Sequence, residues 1–311
     1  MTPSPTLPCP VGRFAPSPTG PLHFGSLLTA VGSYCLARQL GGRWLLRIED
    51  LDTPRVVPGA ADSILHTLDA LDLHWDGEVL YQSRRTSRYA EALAILERKG
   101  LIYGCACSRK DILASAPHPG EEGPIYPGLC RAGLPAGRRP RAWRLRVPAR
   151  SVAVTDGVRG QQSQHLAEEV GDFVVRRADG LFAYQLAVVV DDADSGVTQV
   201  VRGQDLLSST PRQIYLQECL GFPLPEYIHL PLALAADGEK ISKRHGAIAV
   251  DHSCGGVLVA SALQFLGQPL PAELTQAPPA EVLRWGVAHF DLSRVPKESR
   301  PLPESAQTCV R

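Results

Sequence analysis

The chain has 311 residues, 32 acidic and 32 basic side chains, and is 44% apolar and 21% charged. This balance excludes wholesale disorder and argues against a protein that coats nucleic acid by charge alone. No apolar run approaches the ~18–20 residues that span a bilayer, and residues 1–8 carry no basic or apolar leader pattern, so the expected location is cytoplasmic.

Residues 11–15 predict a short strand, after which Pro16, Pro18 and Pro21 punctuate a loop. Helical apolar spacing over 26–40 stops at Gly41-Gly42, and Arg43–Ile48 is a buried strand closed by the acidic cluster Glu49-Asp50-Leu51-Asp52. Residues 60–71 and 87–99 are amphipathic helices, the second capped by Gly100. This alternation predicts an α/β fold with a doubly wound parallel sheet. From 105 to 150 the chain turns rich in Pro, Gly, Cys and Arg and loses periodicity, which predicts an insertion held by something other than a core. Regular structure is expected again over 173–177, the Gly180 turn and the apolar run 182–190. A strand at 198–202 and a helix at 209–220 follow, then a polar cationic loop at 239–246. Helices are expected at 256–266 and 279–290, with a frayed tail beyond Arg294.

Three segments carry chemistry. The first, Arg13-Phe-Ala-Pro-Ser-Pro-Thr-Gly-Pro-Leu-His-Phe-Gly-Ser26, runs strand, loop, helix. A helix N-terminus offers unpaired N–H groups and a positive dipole end to a phosphate, and Gly25 lets a ligand approach the backbone. No Gly-Lys-Ser/Thr follows, so it is not a Walker loop. Taken alone, His23 reads as part of a structural turn. The second, Glu239-Lys-Ile-Ser-Lys-Arg-His-Gly246, could neutralise a polyphosphate; alone it reads as a solvated basic loop. The third, Cys105-Ala-Cys107 … Tyr126-Pro-Gly-Leu-Cys130, places three of the eight cysteines in a core-poor segment. In a reducing compartment that suits one structural Zn²⁺, with His118 the fourth ligand on general chemistry. The other cysteines read as structural or incidental. Between Arg131 and Arg150 stand seven arginines and no acid (Arg131, Arg138, Arg139, Arg141, Arg144, Arg146 and Arg150), either a solvated face or a phosphate-binding patch.

Together the first two segments resemble the HIGH and KMSKS signatures of class I aminoacyl-tRNA synthetases. The residues 13–26, Arg47-Ile-Glu-Asp-Leu-Asp-Thr-Pro-Arg55, Val201-Arg-Gly-Gln-Asp-Leu206 and Lys240-Ile-Ser-Lys-Arg244 resemble the glutamyl branch, over about residues 10–250. Ser26 stands where the HIGH name has its second histidine. Full glutamyl-tRNA synthetases carry a further anticodon-reading half; here only residues 247–311 follow the Lys-Ile-Ser-Lys loop. The resemblance thus points to the truncated paralogues that load glutamate onto queuosine, at the wobble base of tRNA(Asp).

It implies a ligase that activates L-glutamate with ATP and Mg²⁺ and then acylates tRNA. It implies catalytic roles for His23, Lys240 and Lys243, ATP contacts from His23, Gly25, Ser26 and Lys243, and glutamate contacts from Arg13, Ala15, Ser17, Glu49, Tyr184 and Arg202. Arg13 would pair the substrate carboxylate and Glu49 its ammonium group. The truncated branch assigns Tyr126, not His118, as the fourth zinc ligand beside Cys105, Cys107 and Cys130; the histidine that full-length enzymes often place two residues after the last cysteine is Ala132 here. The implied domains are 1–104, the first half of a Rossmann-like catalytic domain; 105–183, an insertion with zinc and an acceptor-binding surface; 184–250, the second half; and 251–311, a short helical appendage and tail. A compact synthetase charging the 3′ end of tRNA(Glu) and a non-catalytic nucleotide-binding module stay open as alternatives.

Overall fold

The computed structural model describes residues 9–115, 119–120, 123–235, 238 and 249–310. The expected Lys240 and Lys243 and the alternative zinc ligand His118 lie outside them. In chain order the elements are β1 (Val11–Phe14), α1 (Phe24–Gln39), β2 (Arg43–Ile48), α2 (Ala60–Ala70), β3 (Leu80–Tyr81), α3 (Thr86–Arg98), β4 (Ile102–Cys105), α4 (Arg109–Ser115), β5 (Pro119–Gly120) and β6 (Gly123–Pro124). Then follow β7 (Ala142–Leu145), β8 (Ser151–Asp156), β9 (Gly160–His165), α5 (Leu166–Glu169), β10 (Phe173–Arg176), α6 (Tyr184–Asp194), β11 (Gln199–Gly203), α7 (Thr210–Leu220), β12 (Glu226–Leu230), β13 (Ala233–Leu234), α8 (Gly255–Phe265), α9 (Pro279–His289), β14 (Arg300–Pro301) and α10 (Glu304–Gln307).

Strands β1, β2 and β3 are parallel neighbours, and so are β11, β12 and β8, with β9 antiparallel at the edge. The two groups meet at β1: the Thr198 N–H donates to the Val11 carbonyl at 3.0 Å, and the Val11 N–H to Thr198 Oγ1 at 2.9 Å. Alternate strand residues face opposite sides. Val201 and Ile228 join one apolar cluster with α1, α2, α8 and α9; Val200 and Tyr227 join a second with α3, α6 and α7. Helices therefore cover both faces, as a parallel sheet requires because neither face can be left to water. Gly32 lets α1 lie close to β12: a Cβ there would meet Leu230 Cδ1 at 2.7 Å.

The helix and strand expectations up to residue 104 match to within a residue or two. Beyond it two corrections follow. The end of the 105–150 stretch is not without a core: Leu145 and Val147 are buried in the second cluster, as are Val152 and Leu166 beyond it, and β7 is the centre strand of a β10-β7-β4 sheet. The tail beyond Arg294 is not frayed: β14 pairs with β13, Val310 bridges Val250, and Ala306 and Cys309 are buried in the first core. No helix among the described residues is long and apolar enough to cross a membrane.

Candidate active site and metal centre

A cavity of about 870 Å³ opens at the C-terminal ends of β1, β2 and β11, where a parallel α/β sheet places its ligands. Arg13, Ala15, Ser17, His23, Gly25, Ser26, Glu49, Tyr184 and Arg202 all line it, so every described residue expected to contact ATP or glutamate borders one cavity. The Pro-rich loop is tethered to the strand end beside it: the Glu49 N–H donates to the Pro16 carbonyl and the Val57 N–H to the Pro18 carbonyl, both at 2.9 Å.

His23 is the N-cap of α1. Its Nδ1 accepts the Ser26 N–H at 3.2 Å, and its Nε2 lies 3.1 Å from Ser26 Oγ. An accepting Nδ1 leaves the proton on Nε2 of the neutral ring. The histidine therefore organises the helix end that faces the cavity, and the serine that departs from the HIGH pattern is its partner.

Below the cavity lies a buried charge cluster. Arg13 gives Nε and Nη2 to Asp192 at 3.1 and 3.3 Å and Nη1 to the Val201 carbonyl at 3.3 Å. Arg47 binds Asp192 at 2.6 Å and Glu49 at 3.2 Å. Burial alone would raise the Asp192 carboxyl, but Arg13 and Arg47 outweigh it and hold the group below its ordinary range. For Glu49 burial wins over Arg47 and Arg13 and raises it. Burial and Glu49 likewise raise the Tyr184 phenol. Arg13 thus keeps two of its five N–H donors for a ligand.

Arg202 differs. It is 4% exposed, gives Nε to His229 Nε2 at 3.0 Å and Nη2 to Thr210 Oγ1 at 2.8 Å, and its buried Nη1 has no hydrogen-bond partner among the described residues. A buried cationic donor left unpaired is costly unless a ligand completes it. Asp192, Arg47, His229 and Thr210 were missed in the sequence. Asp192 sits just past the apolar run 182–190 and pairs with a residue 179 positions away, so no local pattern marks it.

The second site lies on the 105–130 segment. The sulfurs of Cys105, Cys107 and Cys130 all lie within 4.8 Å of one another, with Cys107 and Cys130 at 3.6 Å. The Tyr126 hydroxyl stands 3.4 Å from Cys105 Sγ and 3.7 Å from Cys107 Sγ, and accepts the Cys130 N–H at 2.9 Å. Tetrahedral metal–sulfur bonds of about 2.3 Å imply sulfur separations of about 3.8 Å, so this donor set could hold a metal ion. Its surroundings are built to fix the tyrosine. Tyr126 bridges Gly171, whose φ of +71° and 2.7 Å Cβ clearance to the Tyr126 carbonyl oxygen admit only glycine, and Arg144 lies 3.8 Å over the phenol ring.

The arginine run divides. Arg131 binds Asp172 at 2.8 Å, Arg144 is buried, Arg146 stacks on Tyr103 at 4.7 Å, Arg150 pairs with Glu218, and Arg138 faces Asp111 at 3.7 Å. Arg139 and Arg141 stay on the exposed surface.

The family model for the catalytic domain of class I tRNA synthetases (E and Q) matches residues 11–256. The chain is 59% identical over 289 residues to the glutamyl-Q tRNA(Asp) synthetase of Dechloromonas aromatica, covering 93% of this chain and 96% of that one. It is 55% identical over 310 residues to the protein of that name in Geobacter sulfurreducens, covering 97% and 99%. Among solved structures it is similar to a glutamate tRNA ligase from Elizabethkingia meningosepticum in complex with its amino acid, at TM-score 0.77 and 27% identity, over 96% of this chain and 68% of that one.

Proposed function

Since the chain belongs to the class I glutamyl and glutaminyl tRNA synthetase family, and within it to the glutamyl-Q tRNA(Asp) synthetases, we propose that it activates L-glutamate with ATP and Mg²⁺ and transfers it to the queuosine base at the wobble position of tRNA(Asp). The observation that supports this reading is one cavity lined by the described residues of the motifs.

The glutamate α-carboxylate attacks the α-phosphorus of ATP in line, pyrophosphate leaves, and a hydroxyl of the queuosine diol then attacks the acyl carbon and releases AMP. Arg202, with its buried Nη1 unpartnered among the described residues, takes the side-chain carboxylate together with the remaining donors of Arg13, while Ser17 and Tyr184 add hydrogen bonds. Glu49, paired with Arg47 at 3.2 Å, holds the ammonium group. His23, through its contacts to Ser26, orders the helix N-terminus that faces the adenylate phosphate beside Gly25; Lys240 and Lys243 neutralise the departing pyrophosphate. The rate comes from positioning and fixed charge, with no covalent protein intermediate.

Cys105, Cys107, Cys130 and Tyr126 would hold one Zn²⁺, which would tie the insertion together and whose charge would favour the ionised phenol. The exposed Arg139 and Arg141 meet tRNA phosphate. The proposed domains are the two catalytic halves 1–104 and 184–250, the insertion 105–183 and the helical appendage 251–311.

The test is glutamate-dependent ATP–pyrophosphate exchange followed by transfer of labelled glutamate to tRNA(Asp) with and without queuosine. Exchange is expected, and Lys243→Ala should lower it by two to four powers of ten, about 3–5 kcal/mol of transition-state stabilisation. Transfer is expected only to the queuosine form. Exchange without glutamate dependence, or equal transfer to both tRNAs, would overturn the reading; the second result favours a compact synthetase of the 3′ end.

A further inference from the structure

We propose that Asp156 and His229 are positioning residues that hold Arg202 in the one orientation in which its free Nη1 receives the substrate side-chain carboxylate. This rests on the reading of Arg202 as a glutamate ligand.

Arg202 on β11 and His229 on β12 are direct parallel-strand partners, and Asp156 ends β8, the next strand. The Asp156 and His229 side chains are fully buried, and neither residue lines the cavity. Asp156 Oδ1 accepts the backbone N–H groups of Val158 and Arg159 at 3.0 and 2.8 Å, which leaves Oδ2 for His229 Nδ1 at 2.6 Å. Burial lowers the His229 pKa, and the Asp156 contact does not restore it. Because the Arg202 Nε–H can only donate, Nε2, which also lies 3.2 Å from Thr210 Oγ1, is the acceptor, and the ring proton sits on Nδ1 and is given to Asp156. Nε2 takes the Arg202 Nε–H at 3.0 Å. The other face of the guanidinium is fixed by Thr210 Oγ1 at 2.8 Å.

A chain thus runs from backbone amides through a carboxylate and an imidazole to a guanidinium at the cavity wall. Each link determines the donor or acceptor state of the next. Arg202 cannot rotate to pair Nη1 internally without giving up both contacts. The arrangement favours a carboxylate, which only accepts, over a side-chain amide, whose NH₂ would oppose the guanidinium donors.

Asp156→Asn is the sharpest test because it preserves shape. The backbone amides hold the remaining oxygen, so the new NH₂ faces His229 Nδ1, forces the proton onto Nε2 and sets donor against donor at Arg202. In pyrophosphate exchange the glutamate KM should rise about 10–100-fold, as for loss of a hydrogen bond to a charged group, with the ATP KM and kcat changed little. His229→Gln, whose amide can accept from Arg202 and donate to Asp156, should stay near wild type, and His229→Leu should not. That pair decides the question if Asp156→Asn does not fold. An unchanged glutamate KM in folded Asp156→Asn, or equal effects on glutamate, ATP and kcat, would overturn the proposal. Arg202→Lys separates the two levels. If it leaves the glutamate KM unchanged, the ligand assignment itself fails; if it raises the KM while Asp156→Asn does not, only the positioning role fails.

Discussion

The cavity and the cysteine segment reach order by opposite routes. The cavity draws residues from positions 13 to 233, and the sheet topology brings them together. Its charges are set by contacts already closed within the protein, the ion pairs of Arg13 and Arg47 with Asp192 and the hydrogen bond of Arg202 to His229, itself held by Asp156. The cysteine segment gathers its donors from 26 consecutive residues, 105–130, and has only a small apolar cluster of Tyr103, Cys105, Ala106, Tyr126 and Cys130. The first is preorganised by folding; the second converges on a point that a cation would complete. Charge in a cavity wall can be fixed by the fold alone, whereas the proposed zinc would supply to the cysteine segment the stability that its small core does not.

The sharpest way to break that contrast is to remove the metal. Zinc binding supplies folding free energy of roughly 10 kcal/mol or more in small sites. Metal analysis should give about one zinc per chain, which Cys107→Ser loses. The variant should be cut by protease within 105–130 and should lose tRNA acceptance. A segment that stays protease-resistant without metal would show that its own packing suffices. Tyr126→Phe should weaken metal retention while His118→Ala should not.

Asp192→Ala attacks the other region. It leaves buried Arg13 without its carboxylate and Arg47 with only Glu49 and Asp191, and should cost about 3–5 kcal/mol in denaturant unfolding, with zinc content unchanged. A loss below 1 kcal/mol would mean that the arginines are not held by Asp192.

How much of this contrast the sequence announces depends on the range of the interactions. The strand Arg43–Ile48 and the helix ending at Gly41-Gly42 are legible because apolar spacing and glycine stops are local signals. The cysteine cluster is legible because its donors are close in sequence. The β8–β9 hairpin escapes because β9, Gly-Gln-Gln-Ser-Gln-His, is polar throughout, although the alternating burial of Ser151–Asp156 is a period-two signal that could have found it. The tail escapes because its order comes from β13 and Val250, far back in the chain. Asp192, Asp156 and His229 escape for the same reason: a buried charge is meaningful only beside a partner that folding supplies.

Smaller effects sharpen the comparison at its edges. Arg139→Glu with Arg141→Glu should weaken tRNA binding and reduce the log–log salt slope by about 1–2, since each phosphate contact contributes just under one. Pyrophosphate exchange should hardly change; an unchanged slope would leave the insertion without a tRNA role. The smallest effect is in pH. Unfolded histidine takes up a proton near pH 6.5 while buried His229 resists it. Its contribution is fully present above pH 6.5 and is lost as pH falls toward the lower folded value, by at most about 1.4 kcal/mol per pH unit. His229→Gln should flatten unfolding free energy between pH 7 and 5.5; an unaltered slope would mean that His229 is protonated in the fold.

The central claim, that the acceptor is the wobble base, is tested most directly by transferring labelled glutamate to queuosine-containing tRNA(Asp) stripped of its 3′-terminal adenosine. Acceptance equal to that of intact tRNA is predicted. Acceptance that disappears with the adenosine would contradict the account and make the chain a synthetase of the 3′ end.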